Sequence, residues 1–189
     1  IKGRRGETVI ESDEGPRAET DLDSLSKLKP SFSGTGSVTA GNASQLSDGA
    51  AALVVANESV AAGCDSPIKA RIVASATSGV KPKDIFIAPV TAVERVLAKA
   101  NMKIADIDLF ELNEAFAAQS VACMRGLKLD DTRVNVHGGA IALGHPIGAS
   151  GARVLVTLLH ALNDRDLKWG LASLCLGGGN AVAMIVERI

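Results

Sequence analysis

Strand-like and helix-like patterns alternate from Lys69 to the end of the chain, and this alternation restricts the possible fold more than any other feature. Short apolar runs typical of buried strands are followed by longer amphipathic runs typical of helices, in the order βαβαβαββ. Strands joined through helices usually pair in parallel. The sequence therefore predicts an α/β fold with a mostly parallel sheet covered by helices, and the final hairpin adds an antiparallel strand at its edge.

The predicted elements have the following bounds. The strands cover residues 70–77, 107–112, 133–136, 170–175 and 181–187, and the helices cover residues 89–101, 115–126 and 149–163. Pro89 suits the first turn of its helix, where its missing N–H costs no hydrogen bond. Ligands of such sheets usually bind beyond the carboxyl ends of the strands, so we expect a site there.

The first part of the chain has a different character. Residues 1–46 are polar, with few apolar positions, and we expect them to pack poorly alone. Leu22, Leu25 and Leu28 lie three apart and predict a short amphipathic helix that ends before Pro30. The small apolar residues of 50–56 predict a buried strand or a tight helix-strand element.

Composition excludes some functions. With 20 basic and 21 acidic residues, no Tyr, four Phe and one Trp, the chain has neither a cationic face nor stacking aromatics for nucleic acid. No apolar run approaches the roughly 20 residues of a membrane span, so we expect no membrane insertion. Three cysteines without a C-x-x-C spacing argue against a disulfide framework and favour a cytoplasmic protein. Since the first residue is Ile1, we expect a piece of a longer protein.

A glycine-rich stretch at residues 138–151 contains the strongest acid/base candidate, His145. Glycines allow tight turns and close backbone approach, and Pro146 fixes the backbone after the imidazole. This pattern is typical of a site loop, although a tight turn with an incidental histidine stays open as an alternative.

Two further turns that follow strands carry unusual residues. Asn113 and Glu114 precede a helix, where they could also serve as an N-cap and a favourable first-turn charge. Cys175 precedes Gly177–Gly179 and could be a small buried hydrophobe. However, the glycines can offer backbone N–H donors to a developing oxyanion, and a thiol beside them can act as nucleophile or acid/base.

Other kinds of site are disfavoured. The glycine loop lacks the Lys and Ser/Thr of a P-loop and the second glycine of a G-x-S-x-G elbow. His137, His145 and Cys175 have no metal-ligand spacing, so no metal site is expected. His160 and Cys123 lie within predicted helices, which favours packing or surface roles.

The three turns, taken in order, resemble the thiolases, in particular the acetyl-CoA C-acetyltransferase type. The motifs are Asn113-Glu114-Ala115-Phe116, the His145 loop, and Cys175-Leu176-Gly177-Gly178-Gly179. The resemblance extends upstream through Thr39–Ser44 and Asp48–Ala51, and so spans essentially the whole chain. It implies that residues 1–46 are the end of a CoA-binding loop domain, 47–68 the last element of the N-terminal thiolase half, and 69–189 the C-terminal half.

The resemblance also implies roles for four residues. His145 would activate an acyl-accepting cysteine and, with a water held by Asn113, form one oxyanion hole. Cys175 would be the acid/base cysteine, and the Gly177 N–H would contribute to a second oxyanion hole.

Binding residues are implied in the same way. The positions matching the site for CoA are Arg17, Ser24, Phe32, Ala40 and Ser44, and those matching the acyl pocket are Ala115, Phe116 and Ile85. Residues 85–88 read Ile-Phe-Ile-Ala, where short-chain thiolases often read Met-Gly-x-Gly. The preferred acyl chain length therefore stays open.

The implied reaction is condensation of two acetyl-CoA to acetoacetyl-CoA and CoA, or the thiolytic reverse, without a cofactor. None of the cysteines lies in the sequence context of the family's nucleophile, which belongs to the N-terminal half, so we expect the chain alone to be inactive. Expected partners are acetyl-CoA, acetoacetyl-CoA, CoA, the N-terminal half, and further copies in a homo-oligomer. The alternatives are a longer-chain 3-ketoacyl-CoA thiolase and a non-catalytic CoA-ester binding module.

Overall fold

The computed structural model describes residues 1–4 and 6–189, and its centre is a four-stranded sheet with the order β3-β6-β5-β4. The strands of this sheet are β3 (Ala70–Gly79), β4 (Leu109–Leu112), β5 (Trp169–Leu176) and β6 (Asn180–Arg188). The short strands β1 (Lys2–Gly3) and β2 (Gly6–Glu7) form a separate antiparallel pair. The helices are α1 (Leu22–Ser26), α2 (Glu58–Ala62), α3 (Ala88–Ala100), α4 (Ala117–Leu127), α5 (Ala140–Leu143) and α6 (Ser150–Asp164).

The strand directions confirm the α/β class but correct the predicted position of one strand. β4 and β5 are parallel, and β6 pairs antiparallel with both β5 and β3, so three of the four strands point the same way. The prediction that the final hairpin places its antiparallel strand at the edge is wrong, because β6 lies between β3 and β5. The backbone of β6 is paired along both of its edges, and its side chains on one face, including Ala181, Ala183 and Ile185, are fully buried.

The strand predicted at residues 133–136 is reduced to a single bridge between Val134 and Phe110. Asn135 ends the pairing because it adopts a left-handed φ of 48°, which asparagine tolerates better than most residues. Its side-chain amide then takes the place of a strand neighbour: Oδ1 accepts from Leu112 N at 2.8 Å, and Nδ2 donates to Leu112 O at 2.8 Å.

Helices cover both faces of the sheet, as the alternating pattern predicts. α3 and α4 pack on one face over a cluster that includes Val93, Phe110 and Leu171. α6 packs on the other face through Val154, Leu158 and Leu162 against Leu109 and Ala172. Within the described ranges, 1–4 and 6–189, none of the helices has both the length and the apolarity that crossing a bilayer requires.

The first 68 residues contribute little to this core. The predicted helix forms as α1, where Asp21 and Ser24 cap each other's backbone N–H groups. By contrast, residues 50–56 form neither helix nor strand, and Val54 is 94% exposed, so the predicted buried element is wrong. A strand needs a neighbour to satisfy its backbone groups, and this segment pairs with none in the described part of the chain.

The contact between β5 and α6 leaves no room at Gly170. A Cβ added there would lie 2.8 Å from Leu162 and 2.9 Å from Leu158, and both leucines are fully buried. We expect Gly170→Ala to lower the free energy of unfolding by about 1–3 kcal/mol through overpacking, measured by urea denaturation. Gly151→Ala in α6 is the control, because a Cβ there meets nothing within 4 Å. The crowding argument would be wrong if both variants were equally stable.

Candidate active site

Two of the predicted residues, Asn113 and His145, are in direct contact beyond the carboxyl end of β4. Asn113 Nδ2 lies 3.3 Å from His145 Nε2. Asn113 continues the line of β4, since its N–H donates to Ser173 O of β5 at 3.0 Å, and it is 1% exposed. The Nε2 edge of the imidazole therefore lies against a buried amide.

The other nitrogen of the His145 ring is held by the start of α6. Nδ1 lies 2.5 Å from Ser150 Oγ, whose hydroxyl donates to Pro146 O at 2.9 Å. With the Ser150 proton assigned to that carbonyl, Oγ accepts from Nδ1–H, and the lone pair of the neutral imidazole is on Nε2, facing the Asn113 amide. Burial, followed by the positive charge of Arg153, lowers the pKa of His145 and keeps it neutral near pH 7.

The backbone around His145 is shaped by glycine and by the segment before residue 48. Gly144 has a φ of 92°, and an added Cβ would overlap Ser47, so a side chain is excluded there. His145 N donates weakly to Gln45 O at 3.4 Å. His145 also borders an open cavity of about 300 Å³, lined by Leu46, Ser47, Asp48 and Ile147. The imidazole is consequently reachable from solvent on this side.

Glu114 anchors the beginning of the same loop. Its carboxylate accepts from Asn135 Nδ2 at 2.9 Å and from Ile141 N at 3.1 Å, the latter at the start of α5. The alternative interpretation of Asn113 and Glu114 as helix-capping residues is wrong, because α4 begins at Ala117 and its N-cap residue is Phe116. Asn113 and Glu114 instead connect β4 to the His145 loop.

Beneath Asn113 lies a buried contact between Arg153 and Glu111 that the sequence analysis did not identify as part of the site. Arg153 of α6 donates through Nη2 to Asn113 Oδ1 at 3.2 Å, and its Nη1 lies 3.8 Å from Glu111 Oε2. Glu111 is 2% exposed, and burial raises its pKa to about 8, although the Arg153 charge opposes this rise. In the sequence, Glu111 and Arg153 are marked only by being charged residues within otherwise apolar elements.

Cys175 lies at the same edge of the sheet, two residues beyond Ser173 on β5. It is half-buried, and burial raises the pKa of its thiol, so the thiol is protonated at neutral pH. Among the described residues, no hydrogen bond joins Cys175 to Asn113 or His145. The structure therefore places Cys175 on the neighbouring strand without linking it directly to the Asn113–His145 pair.

The glycine turn after Cys175 is tight. Gly178 and Gly179 have φ values of 78° and 90°, and Gly179 packs against Val80 O, where a Cβ would come within 2.5 Å. Gly177 is exposed, and an added Cβ there meets nothing. The backbone at Gly177 is thus open to an approaching group.

The residues matched to the acyl pocket gather around Phe116. Its ring packs edge-on against Phe86 at 5.2 Å and against Phe32 at 6.0 Å. Ala115 is buried next to it, and Ile85 is half-buried in the short 3-10 helix Pro82–Ile87. Phe32, which the sequence matches to the CoA site, therefore meets the acyl-pocket residue Phe116.

The other residues matched to the CoA site are more dispersed. Ser44 is hydrogen-bonded to the acyl-pocket residue Ala115, whose carbonyl oxygen accepts from Ser44 Oγ at 2.9 Å and from Ser44 N at 3.1 Å. Arg17 and Ala40 are exposed. The Ser24 hydroxyl is engaged with the backbone of Asp21 in the cap of α1.

The residues given packing or surface roles behave accordingly. Cys123 is fully buried in α4, with Sγ 3.2 Å from Phe86 O, and His160 is exposed on α6. His137 lies 3.9 Å from Asp164. In residues 1–4 and 6–189, no group of three or more His, Cys, Asp or Glu is arranged to hold a metal ion.

Comparisons with known proteins agree on one family. Residues 66–188 match the family model described as thiolase, C-terminal domain, and residues 1–59 match thiolase, N-terminal domain. The chain is 55% identical over its full length to an acetyl-CoA acetyltransferase of Pseudomonas aeruginosa, and 52% identical over 98% of its length to one of Escherichia coli. It spans about half of these relatives, 48% and 47% respectively.

Solved structures give the same result. All of the chain superposes on 48% of an acetyl-CoA acetyltransferase from Bacillus anthracis, with a TM-score of 0.93 and 49% identity. A human mitochondrial 3-ketoacyl-CoA thiolase in complex with CoA matches 95% of the chain over 46% of its own, with a TM-score of 0.86 and 41% identity. The half-fold expected from the sequence is thereby confirmed.

Proposed function

The chain belongs to the thiolase family, and on that premise we propose that it is the C-terminal part of an acyltransferase that condenses two acetyl-CoA or cleaves acetoacetyl-CoA with CoA. The observation that carries the proposal is the contact of Asn113 with His145 at the carboxyl end of the sheet. The identity with acetyl-CoA acetyltransferases supports the short-chain reaction.

The chemistry assigned to His145 follows from its protonation. A neutral imidazole with its lone pair on Nε2 can take the proton of a cysteine thiol when the thiol replaces the Asn113 amide as the partner of Nε2, and this generates the thiolate that attacks the thioester. Once protonated, Nε2 becomes a donor and, together with the Asn113 amide, can stabilise the oxyanion. The nucleophilic cysteine, which attacks the thioester and becomes acylated, would come from the N-terminal half.

Cys175 completes the proposed cycle. In condensation, its thiolate removes a proton from the methyl carbon of the second acetyl-CoA, and the carbanion attacks the acetyl-enzyme to release the nucleophilic cysteine. In thiolysis, the Cys175 thiol returns that proton to the departing acetyl-CoA. Burial raises the pKa of the Cys175 thiol, so the thiol is protonated at neutral pH, and this is the form that donates the proton in thiolysis. The open backbone at Gly177 would hold the enolate oxygen.

We propose that residues 1–46 belong to the CoA-binding loop domain, 47–68 to the N-terminal half and 69–189 to the C-terminal half. The exposed apolar side chains of Val54, Val55 and Ile147 support an extensive contact with further protein. The active unit proposed here is the full-length, cytoplasmic, homo-oligomeric protein, and the 189-residue chain alone is expected to show no turnover.

A longer-chain 3-ketoacyl-CoA thiolase is the second candidate. It is favoured by the departure of residues 85–88 from the short-chain pattern and by the 41% identity to a human 3-ketoacyl-CoA thiolase. However, the Phe86 ring packs against Phe116 in the matched acyl pocket, and this leaves less room for a long chain.

The experiment is thiolysis by the full-length protein with a four-carbon and a sixteen-carbon 3-ketoacyl-CoA. We expect kcat/KM for acetoacetyl-CoA to exceed that for the long substrate by about 100-fold or more, given the cost of fitting extra methylenes. A preference for the long substrate would favour the second candidate. CoA binding without turnover or acyl-enzyme would favour the non-catalytic module and overturn the proposal.

A further inference from the structure

Arg153 approaches the Asn113–His145 pair from the side opposite the imidazole. Its side chain leaves α6, is 17% exposed, and places Nη2 3.2 Å from Asn113 Oδ1. The Asn113 amide thus lies between the guanidinium and His145 Nε2, which is 3.3 Å from Nδ2. Both contacts involve the same buried amide, so the orientation of that amide decides which of its atoms, oxygen or nitrogen, faces Arg153 and which faces His145.

A guanidinium can only donate hydrogen bonds. The amide atom that faces Arg153 must therefore be the oxygen, and the nitrogen must face His145. If the amide rotated by 180°, two donors would meet at Arg153, and a buried oxygen would face the imidazole. Arg153 thus makes one of two otherwise similar amide orientations strongly unfavourable.

The orientation of the Asn113 amide also determines the tautomer of His145. With Nδ2 as donor, His145 Nε2 must accept, which is the same tautomer that Ser150 selects from the other side of the ring. The two contacts are independent and agree. Without Arg153, Asn113 could present its oxygen to Nε2–H and stabilise the opposite tautomer, in which Nε2 cannot take a proton.

Glu111 is the acidic side chain next to this buried guanidinium. Its carboxylate, 2% exposed, lies 3.8 Å from Arg153 Nη1 and two residues before Asn113 on β4. Successive residues of a strand point to opposite faces, so Glu111 and Asn113 share the face that α6 covers. β4 and the residue that follows it therefore carry both side chains that contact the guanidinium, Glu111 and Asn113.

We propose that Arg153 is a positioning residue: it fixes the Asn113 amide so that His145 keeps Nε2 unprotonated and therefore able to accept the proton of the reacting cysteine. The inference rests on the proposed thiolase function for its effect on rate, but its effect on the imidazole is independent of turnover. Arg153 itself contacts no substrate in this assignment.

The test compares Arg153→Met and Arg153→Lys in the full-length protein, with Arg165→Met, an exposed arginine just after α6, as the control for lost charge. We expect Arg153→Met to lower kcat for thiolysis about 10- to 100-fold with KM for CoA changed less than about 3-fold, since positioning rather than binding is lost. Arg153→Lys, which keeps a donor, should recover part of the rate, and Arg165→Met should match the parent protein.

The second readout is the tautomer of His145, measured by nitrogen NMR of the imidazole and assigned by the loss of its signal in His145→Asn. We expect an unprotonated Nε2 in the parent protein and a population with Nε2–H in Arg153→Met. Asn113→Asp, which can only accept from the ring, provides the reference for the reversed tautomer. An unchanged tautomer in Arg153→Met would overturn the inference whatever its rate, whereas absent turnover in the parent protein would overturn only the proposed function.

Discussion

Replacing Cys175 by alanine in the full-length protein is expected to lower kcat for thiolysis of acetoacetyl-CoA by about 10³-fold. The removal of a positioned acid/base group typically costs 10²- to 10⁴-fold. Cys64→Ala is the matched control, because Cys64 is exposed in the connection before β3.

Two further measurements separate the proposed acid/base role from that of a nucleophile. Cys175→Ala should still retain label from labelled acetyl-CoA, since the acylated cysteine would lie in the other half. On the alkaline side of its pH profile, the thiolysis rate should fall as pH rises through the pKa of the Cys175 thiol, which burial raises, because the protonated thiol is the form that donates. A kcat within about 3-fold of the parent would contradict this role, given the usual size of the acid/base effect.

Glu111→Gln is expected to change how stability depends on pH. Burial raises the pKa of Glu111 from 4.5 to about 8, so the folded state binds more protons than the unfolded state between these values. Stability contributed by the protonated carboxyl is fully present below pH 4.5 and is lost as pH rises toward 8. The loss has an upper limit of about 5 kcal/mol, because each pKa unit corresponds to 1.36 kcal/mol and the Arg153 charge is already included.

The measurement is the free energy of unfolding in urea at pH 5 and pH 8.5. The parent protein should lose more stability between the two values than Glu111→Gln, because the glutamine side chain cannot ionise. Glu94→Gln, an exposed change on α3, is the control for lost negative charge. Equal pH dependence in the parent and Glu111→Gln would show that the carboxyl is ionised in the fold at both pH values.

The parts of the fold that depend on periodicity could be predicted from the sequence. α3, α4 and α6 and the strands β3 to β6 form within a few residues of their predicted bounds. The proximity of Asn113 and His145 could be predicted because each follows a strand-like run and belongs to an ordered family motif. These signals are local, so a single sequence contains them.

What the sequence did not reveal depends on contacts between distant residues. The strand predicted at 133–136 fails because the side chain of Asn135 competes with its backbone, a choice that depends on Leu112. Residues 50–56 have the apolar pattern of a buried strand, yet no described strand lies beside them. Arg153 interrupts an apolar helix, but only the packing of α6 on β4 reveals that its target is the Asn113 amide.

The interior position of β6 has a consequence for how the sheet assembles during synthesis. β3, at residues 70–79, has β6 as its partner in the sheet, and β6 spans residues 180–188. A ribosome therefore releases β3 long before the residues that pair with it exist. Pairings between such distant segments form slowly, and an unpaired apolar strand is prone to associate with other chains. We expect nascent chains that stop before residue 180 to be dependent on chaperones, because they leave β3 and β5 with unsatisfied edges.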